Sequence, residues 1–369
     1  MKLRIPNYYT QFHCIADKCK DSCCSAGWEI DIDDKTAEFY KSVEGEFGKK
    51  IHKNIDFNAP AHFIQNCEKV GCPFLNNKKL CEIYINLGEE HLCQICQDHP
   101  RYYEWFHNVK EAGIGLCCEE AARIILTEAE PFSILETEVN QSETDKINCS
   151  FEYDEEIYNY LLNARNKIFE YFESSKLSLN QRLRDILWFG NVISQNIDNY
   201  LLDDENIFEV NVNTSSASNS KETINTLTSI LSFLQSLEPN DSNWPKYLDQ
   251  CANIIQSSYD KLADFESSNP QIYTYLKNIA IYFVWRYLIK GAFDEEIMSK
   301  IKLMYVSTKI LELLFFCHWV QNGTLTLENC IDIAKKYSEE IEYSEENIDE
   351  FASACYELEC LAVERLLEV

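Results

Sequence analysis

Beyond about residue 150, apolar residues recur at three- and four-residue spacing. YDEEIYNYLLNARNKIFEYF, LSLNQRLRDILWFGNVISQNIDNYLL, QIYTYLKNIAIYFVWRYLI and KIKLMYVSTKILELLFFCHWV all carry this period. It gives each helix one face to bury, and together they predict an irregular multi-helix bundle. Between the second and third lies NVNTSSASNSKETINT, residues 211–226, whose Ser, Asn and Thr predict a flexible loop. Residues 1–130 are patterned differently, with short elements among loops. Trp28 to Ile32 alternates like a strand, and Asp33 is placed to cap a helix from Asp34 through Thr36, Phe39 and Tyr40. Arg101 to Phe106 and Val109 to Leu116 predict a hairpin across His107-Asn108. Cys118 to Leu126 reads as a helix with acids in its first turn.

The expected fold is therefore mainly α: a small Cys-rich, loop-rich metal- or cluster-binding module over residues 1–130, then an acidic helical domain over 131–369. Charge and cysteine content separate the same two parts. Residues 1–130 hold 15 Lys+Arg and 21 Asp+Glu, leaving 18 and 40 for the rest, within a formal net charge of -28. Such a surface repels phosphate backbones and excludes nucleic-acid binding, while it attracts basic partners or simply keeps the chain soluble. Eleven of the 17 cysteines fall in the first 118 residues.

MKLRIPNYYTQF holds no apolar signal segment. IAIYFVWRYLI, residues 279–289, reads as the most apolar helical stretch; it is too short to span a bilayer and contains Arg286. The expectation is a cytoplasmic protein without membrane insertion. In a reducing compartment, clustered cysteines point to metal ligands or reactive thiols rather than disulfides.

The cysteines form a run: Cys14, Cys19, Cys23 and Cys24, then Cys67, Cys72 in CPFL, Cys81, the Cys93-x2-Cys96 pair, and Cys117-Cys118. Two thiolates two residues apart chelate one metal, because a tight turn brings both sulfurs to one side. Soft thiolates suit zinc and iron–sulfur clusters. Against this stands the plain packing of free cysteine as a small apolar residue. Packing is the better reading for the six scattered ones: Cys149, Cys251, Cys317, Cys330, Cys355 and Cys360. His99 follows Cys96 at a spacing seen in metal sites, but a mixed Cys/His site is the minor option. No G-x-G-x-x-G and no Walker loop is present. Gly113-Ile114-Gly115 is better explained by a turn or close packing. The C-x3-C-x2-C of radical S-adenosylmethionine enzymes fails at Ala26.

The order CIADKCKDSCCSAGWEIDID, GCPFLNNKKLCEIYINLGEEHLCQICQDHPRYY, LCCEEAARIIL resembles the flagellin lysine-N-methylase family. More distantly it resembles a wider group of zinc- or iron-chelating proteins with a Cys-rich start. The tight motifs span residues 14–126; NIAIYFVWRYL is compatible with the family but less specific. The resemblance implies transfer of a methyl group from S-adenosylmethionine to lysine ε-amines of flagellin, and a [4Fe-4S] cluster, with zinc as the alternative metal. Its cysteine pattern falls on Cys14, Cys19, Cys23, Cys24, Cys72, Cys81, Cys93, Cys96 and Cys118. Cys67 and Cys117 lie outside it. A free lysine has a pKa of about 10.4 and must lose a proton before it attacks. Glu119 and Tyr102, beside the motifs, are the candidate catalytic groups. Arg101 is the candidate for holding the methionine carboxylate of the donor. Glu119 also suits a carboxylate complementing a helix dipole, and Arg101 an ion pair with Asp98 or a Glu. Two other functions stay open: a non-catalytic, zinc-structured protein-binding module, and a redox or electron-transfer cluster protein.

Overall fold

The structure is a computed structural model that describes residues 1–20, 22–25, 30–64, 71–174, 176–202 and 220–369. Cys67, Trp28, Glu29 and residues 211–219 of the expected loop lie outside the described residues.

The first half holds β1 (Lys2–Pro6), α1 (Asp34–Ser42), α2 (Gly45–Asn54), β2 (Ile55–Asp56), β3 (His62–Phe63), α3 (Glu82–Leu87), α4 (Gln94–Asp98), β4 (Arg101–Phe106), β5 (Val109–Ile114), α5 (Glu119–Thr127) and β6 (Ile134–Glu138). The second half is helical. It comprises α6 (Glu143–Asn148), α7 (Glu155–Ser174), α8 (Leu179–Asp198), α9 (Ser220–Ser236), α10 (Trp244–Ser258), α11 (Leu262–Ser268), α12 (Ile272–Tyr287), α13 (Gly291–Asp294), α14 (Ile297–Asn322), α15 (Leu327–Ile341), α16 (Glu345–Glu357) and α17 (Val363–Leu366). The protein is mainly helical, as its periodicity predicts.

Local signals set several elements. Asp33 caps α1 by accepting from the Thr36 N–H at 3.0 Å, and its other oxygen accepts from the Gln94 N–H at 2.9 Å. One side chain thus starts a helix and pins α4 to it. β4 and β5 form the expected hairpin, registered Arg101 with Ile114 through Phe106 with Val109. Of the expected strand, the described residues 30–32 carry a bridge between Asp31 and His62. The reading of 211–226 as a loop fails at its C-terminal end, because residues 220–226 are helical in α9. There Leu227, Ile230, Leu231 and Leu234 supply the buried face that carries the helix back through its Ser/Thr-rich start.

The sheet has the order β4-β5-β1-β6. β1 pairs parallel with β5 and antiparallel with β6. Apolar packing does not part at residue 130. One core joins β5 and α5 to α7, α8, α12 and α14. A smaller core gathers Ile32, Ala37, Tyr40, Ile51, Phe63, Phe74 and Ile83, with Cys72, Cys81, Cys93 and Cys96 against it.

α14 packs against α8, α10, α12, α15 and α16. It corrects the reading that no apolar helix is long enough for a membrane: α14 passes by length and composition. Most of it is buried within the protein, and its buried lysines find partners there. Lys309 pairs with Glu312, and the Lys302 ammonium donates to the Cys355 carbonyl at 2.6 Å. Gly190 of α8 allows the close approach, since a Cβ there would stand 2.7 Å from Ile301.

Candidate functional site

The thiols are brought together by turns and helix starts. Cys93 is the residue before α4, and the N–H groups of Cys96 and Gln97 both donate to its carbonyl. This turn places Cys96 to donate its S–H to the Cys93 sulfur, which lowers the Cys93 pKa and raises that of Cys96. Cys81 precedes α3 in the same way; burial pushes its thiol up, partly offset by the Tyr84 and Ile83 N–H groups. Burial pushes Cys72 up to about 12, with Cys24, Cys81 and Cys93 near enough to add to it. The Cys72 N–H donates to the Cys24 carbonyl at 2.7 Å and ties the first cysteine segment to the second.

Cys24 is the hinge of the arrangement. A hydrogen bond from Cys23 holds its thiol down at about 6, while Cys23 is raised by that bond, by burial, and by Cys118 and Cys14 nearby. Cys118 stands just before α5; burial raises it, and the Ala121 and Glu120 N–H groups oppose. The Cys19 sulfur lies 3.4 Å from the Glu119 carboxylate. Two neighbourhoods result: Cys14, Cys23 and Cys118 on one side, and Cys72, Cys81, Cys93 and Cys96 on the other, joined through Cys24. Among the described residues no three Cys, His, Asp or Glu side chains are drawn together closely enough to hold a metal ion. The donor chemistry nevertheless fits a zinc ion or an iron–sulfur cluster, since these are soft ligands whose mutual repulsion a cation would relieve.

His99 packs beside Tyr343 and Lys335. It is held neutral at about 4 by burial and by Lys335, and meets the Tyr343 ring edge-on at 6.3 Å. Cys117 faces the interior against Tyr343 and Arg286, so the adjacent Cys117 and Cys118 serve different surroundings.

The Glu119 carboxylate accepts from the Lys20 N–H at 2.8 Å and so fastens the first cysteine segment to α5. Tyr102 lies across β5 with its hydroxyl buried and without a hydrogen-bond partner among the described residues. Burial raises its pKa well above the usual value, so it stays protonated and is suited to donate rather than to act as a base. A Cβ on Gly113, its cross-strand neighbour, would fall 2.2 Å from that hydroxyl. Close packing of Tyr102 therefore accounts for one glycine of the G-x-G. Arg101 has no carboxylate partner among the described residues, contrary to the ion-pair alternative. Its guanidinium rests 5.1 Å from the Phe12 ring and 5.9 Å from the Tyr9 ring, donates to the Gln97 carbonyl at 3.4 Å and also hydrogen-bonds the Tyr9 side chain. Asp98 instead accepts from Gln94 and Tyr103.

A buried charged nest behind Tyr102 escaped the sequence reading. The Arg286 guanidinium sits 4.5 Å from the Tyr102 ring and 3.1 Å from Glu342. The Glu342 carboxylate also accepts from Tyr282 at 2.8 Å, from Tyr287 at 3.0 Å and from Ser338. The available signal was Arg286 inside the apolar run IAIYFVWRYLI: a cation on a helix buried nearly all round requires a buried anion. Glu342 was hidden in the acidic run SEEIEYSEE.

The FliB lysine N-methylase C-terminal domain matches residues 165–368, the helical part, where the motifs were least specific. A lysine-N-methylase of Salmonella typhimurium (strain LT2) is 27% identical over 142 residues, covering 37% of this chain and 35% of that protein. The flagellar biosynthetic protein FliU of Salmonella muenchen is 28% identical over 135 residues, covering 35% of this chain and 79% of that protein. The matched part thus spans about a third of the length of the lysine-N-methylase. No solved structure matches. The domain match runs over more than half of the sequence and agrees with the motif order at the N-terminus; the chain belongs to the FliB lysine N-methylase family.

Proposed function

We propose that this chain is a protein-lysine N-methyltransferase that uses S-adenosylmethionine to methylate lysines of flagellin, with a [4Fe-4S] cluster in its thiol layer. Family membership supports the methyl transfer, and the flagellar biosynthetic relative FliU supports a flagellar substrate. The observation that carries the reading is Arg101, a guanidinium with no carboxylate partner among the described residues, three residues beyond the helix that bears Cys96. It suits a bidentate contact to the methionine carboxylate of the donor. Four of the nine thiols of Cys14, Cys19, Cys23, Cys24, Cys72, Cys81, Cys93, Cys96 and Cys118 would hold the cluster. When bound, the cluster supplies a rigid tie among loops that share only a small core.

In the transfer the lysine nitrogen forms a bond to the methyl carbon, the carbon–sulfur bond breaks, and the sulfur leaves as a neutral thioether. The ammonium must first lose its proton, and Glu119, whose carboxylate lies 3.4 Å from the Cys19 sulfur, is the candidate for that role. Tyr102, held protonated by burial, cannot take that proton; its hydroxyl would serve as a hydrogen-bond donor to an oxygen acceptor at the site, leaving the amine lone pair free to attack.

Arg101→Ala is expected to raise KM for S-adenosylmethionine about tenfold or more, the value of a lost charge-assisted bond, with a smaller change in kcat. Arg101→Lys should recover part of it. Unchanged KM in both variants would remove Arg101 from the donor site.

A further inference from the structure

Beyond the thiols, the outer edge of the sheet carries an unexplained groove. β4 ends the strand order, and beside it lies a cavity of about 360 Å³ lined by Glu104, Trp105, Asn148, Phe151, Glu152 and Phe293. Three aromatic side chains border a single groove. Phe293 is fixed by stacking on Phe106 at 5.3 Å and by Tyr153 at 5.5 Å. Trp105 is fixed by its N–H, which donates to Asp145 at 2.8 Å, and by the Lys110 ammonium 5.1 Å from its ring, so among the described residues Phe151 and Phe293 are the groove's rings without a cation of the chain's own. Phe151 makes no ring contact among the described residues and is 62% exposed. A large apolar ring held in water beside two fixed rings is costly unless something covers it.

The charges around the groove select the occupant. Glu104 is paired with Lys290 at 2.9 Å, and Asp145 with Lys110 at 3.0 Å. Glu152 has no ion-pair or hydrogen-bond partner among the described residues. The groove is therefore aromatic with one uncompensated negative charge, on a chain of net charge -28. Aromatic faces and a carboxylate together favour an alkylammonium group, and favour it most when methylation has made it bulky and weakly hydrated.

We propose that this groove binds the side chain of a lysine or methylated lysine on the protein substrate, as a second site apart from the thiol layer. Its physiological ligand rests on the lysine-methyltransferase reading; the binding itself does not. Arg101 and Trp105 lie on the same strand, about 13 Å apart at strand rise. A substrate surface presenting several lysines can therefore hold one here while another faces the methyl donor. Such tethering raises the effective concentration of the second lysine.

The test uses the full chain and Nα-acetyl-Nε-trimethyllysine amide, followed by calorimetry and by line broadening of the trimethyl protons, without S-adenosylmethionine. The neutral tert-butyl isostere serves as the control. Saturable binding is expected, at least about fivefold weaker for the isostere. Phe151→Ala and Glu152→Gln should each weaken it several-fold while leaving the thermal unfolding curve unchanged, since both side chains are exposed. No saturable binding, equal binding of the isostere, or wild-type binding by both variants would overturn the proposal. A chain that methylates but does not bind the probe fails this proposal alone. One that binds but never transfers a methyl group fails only the other.

Discussion

Arg165→Ala is expected to destabilise the protein by about 3–5 kcal/mol, the cost of stranding one member of a buried ion pair. Arg165 is fully buried on α7. Its two terminal nitrogens donate to both Glu111 oxygens at 2.7 and 2.6 Å, and its guanidinium lies 4.5 Å from the Trp285 ring. Three elements meet at this contact: β5 of the sheet, α7 and α12. Removing the guanidinium leaves the Glu111 carboxylate, itself 3% exposed, without its hydrogen-bonded cation; Arg4 on β1 lies near enough to interact but is paired with Glu136. The desolvation penalty that the pair offsets then acts in full. A double replacement, Arg165→Met with Glu111→Leu, takes away both charges and should recover most of the loss. Urea midpoints of the three variants provide the measurement. A loss below about 1 kcal/mol for Arg165→Ala would show that water reaches the site and that the sheet is not joined to the bundle through this pair.

Cys24→Ser is expected to lose most of the bound metal. Cys24 is the thiol shared by both neighbourhoods, raising Cys72, Cys81 and Cys96 while accepting from Cys23. A serine hydroxyl at that position is a hard, protonated ligand in place of a soft thiolate. Cys355→Ala, in the helical core far along the chain, is the control and should keep its metal. Iron, zinc and acid-labile sulfide measured on protein purified without oxygen distinguish the cases. Wild type near four irons and four sulfides, with Cys24→Ser below half of that, is the expected pattern for a [4Fe-4S] cluster. Zinc without sulfide would make the thiol layer a structural clamp. Equal metal in both variants would place the ligands elsewhere.

Features that depend on neighbouring residues were legible in the sequence. The Asp33 cap, the hairpin across His107-Asn108 and the start of α5 at Cys118 follow from side chains acting within a few positions of themselves. The Cys93-x2-Cys96 turn was legible for the same reason. Pairings between distant segments were not. β1 and β6 form a sheet only because residues 2–6 and 134–138 meet, and neither segment alternates strongly enough to announce it. The Ser/Thr-rich start of α9 read as a loop because its helix is carried by packing further along. Arg286 was visible, but the sequence did not show that Glu342, 56 residues on, would answer it beneath Tyr102. Ion pairs of that kind are chosen by the fold, since any of many acids satisfies the composition. The cysteine order carried the family, and folding then divided Cys117 from Cys118 by turning one inward and leaving the other with the thiols.

The most direct measurement of the central claim is mass spectrometry of flagellin after incubation with S-adenosylmethionine and protein purified anaerobically. Increments of one or more methyl groups, localised to lysines and absent when the donor is omitted, are the predicted result. Unmodified flagellin, from protein shown in the same preparation to hold its metal and to bind S-adenosylmethionine, would contradict it.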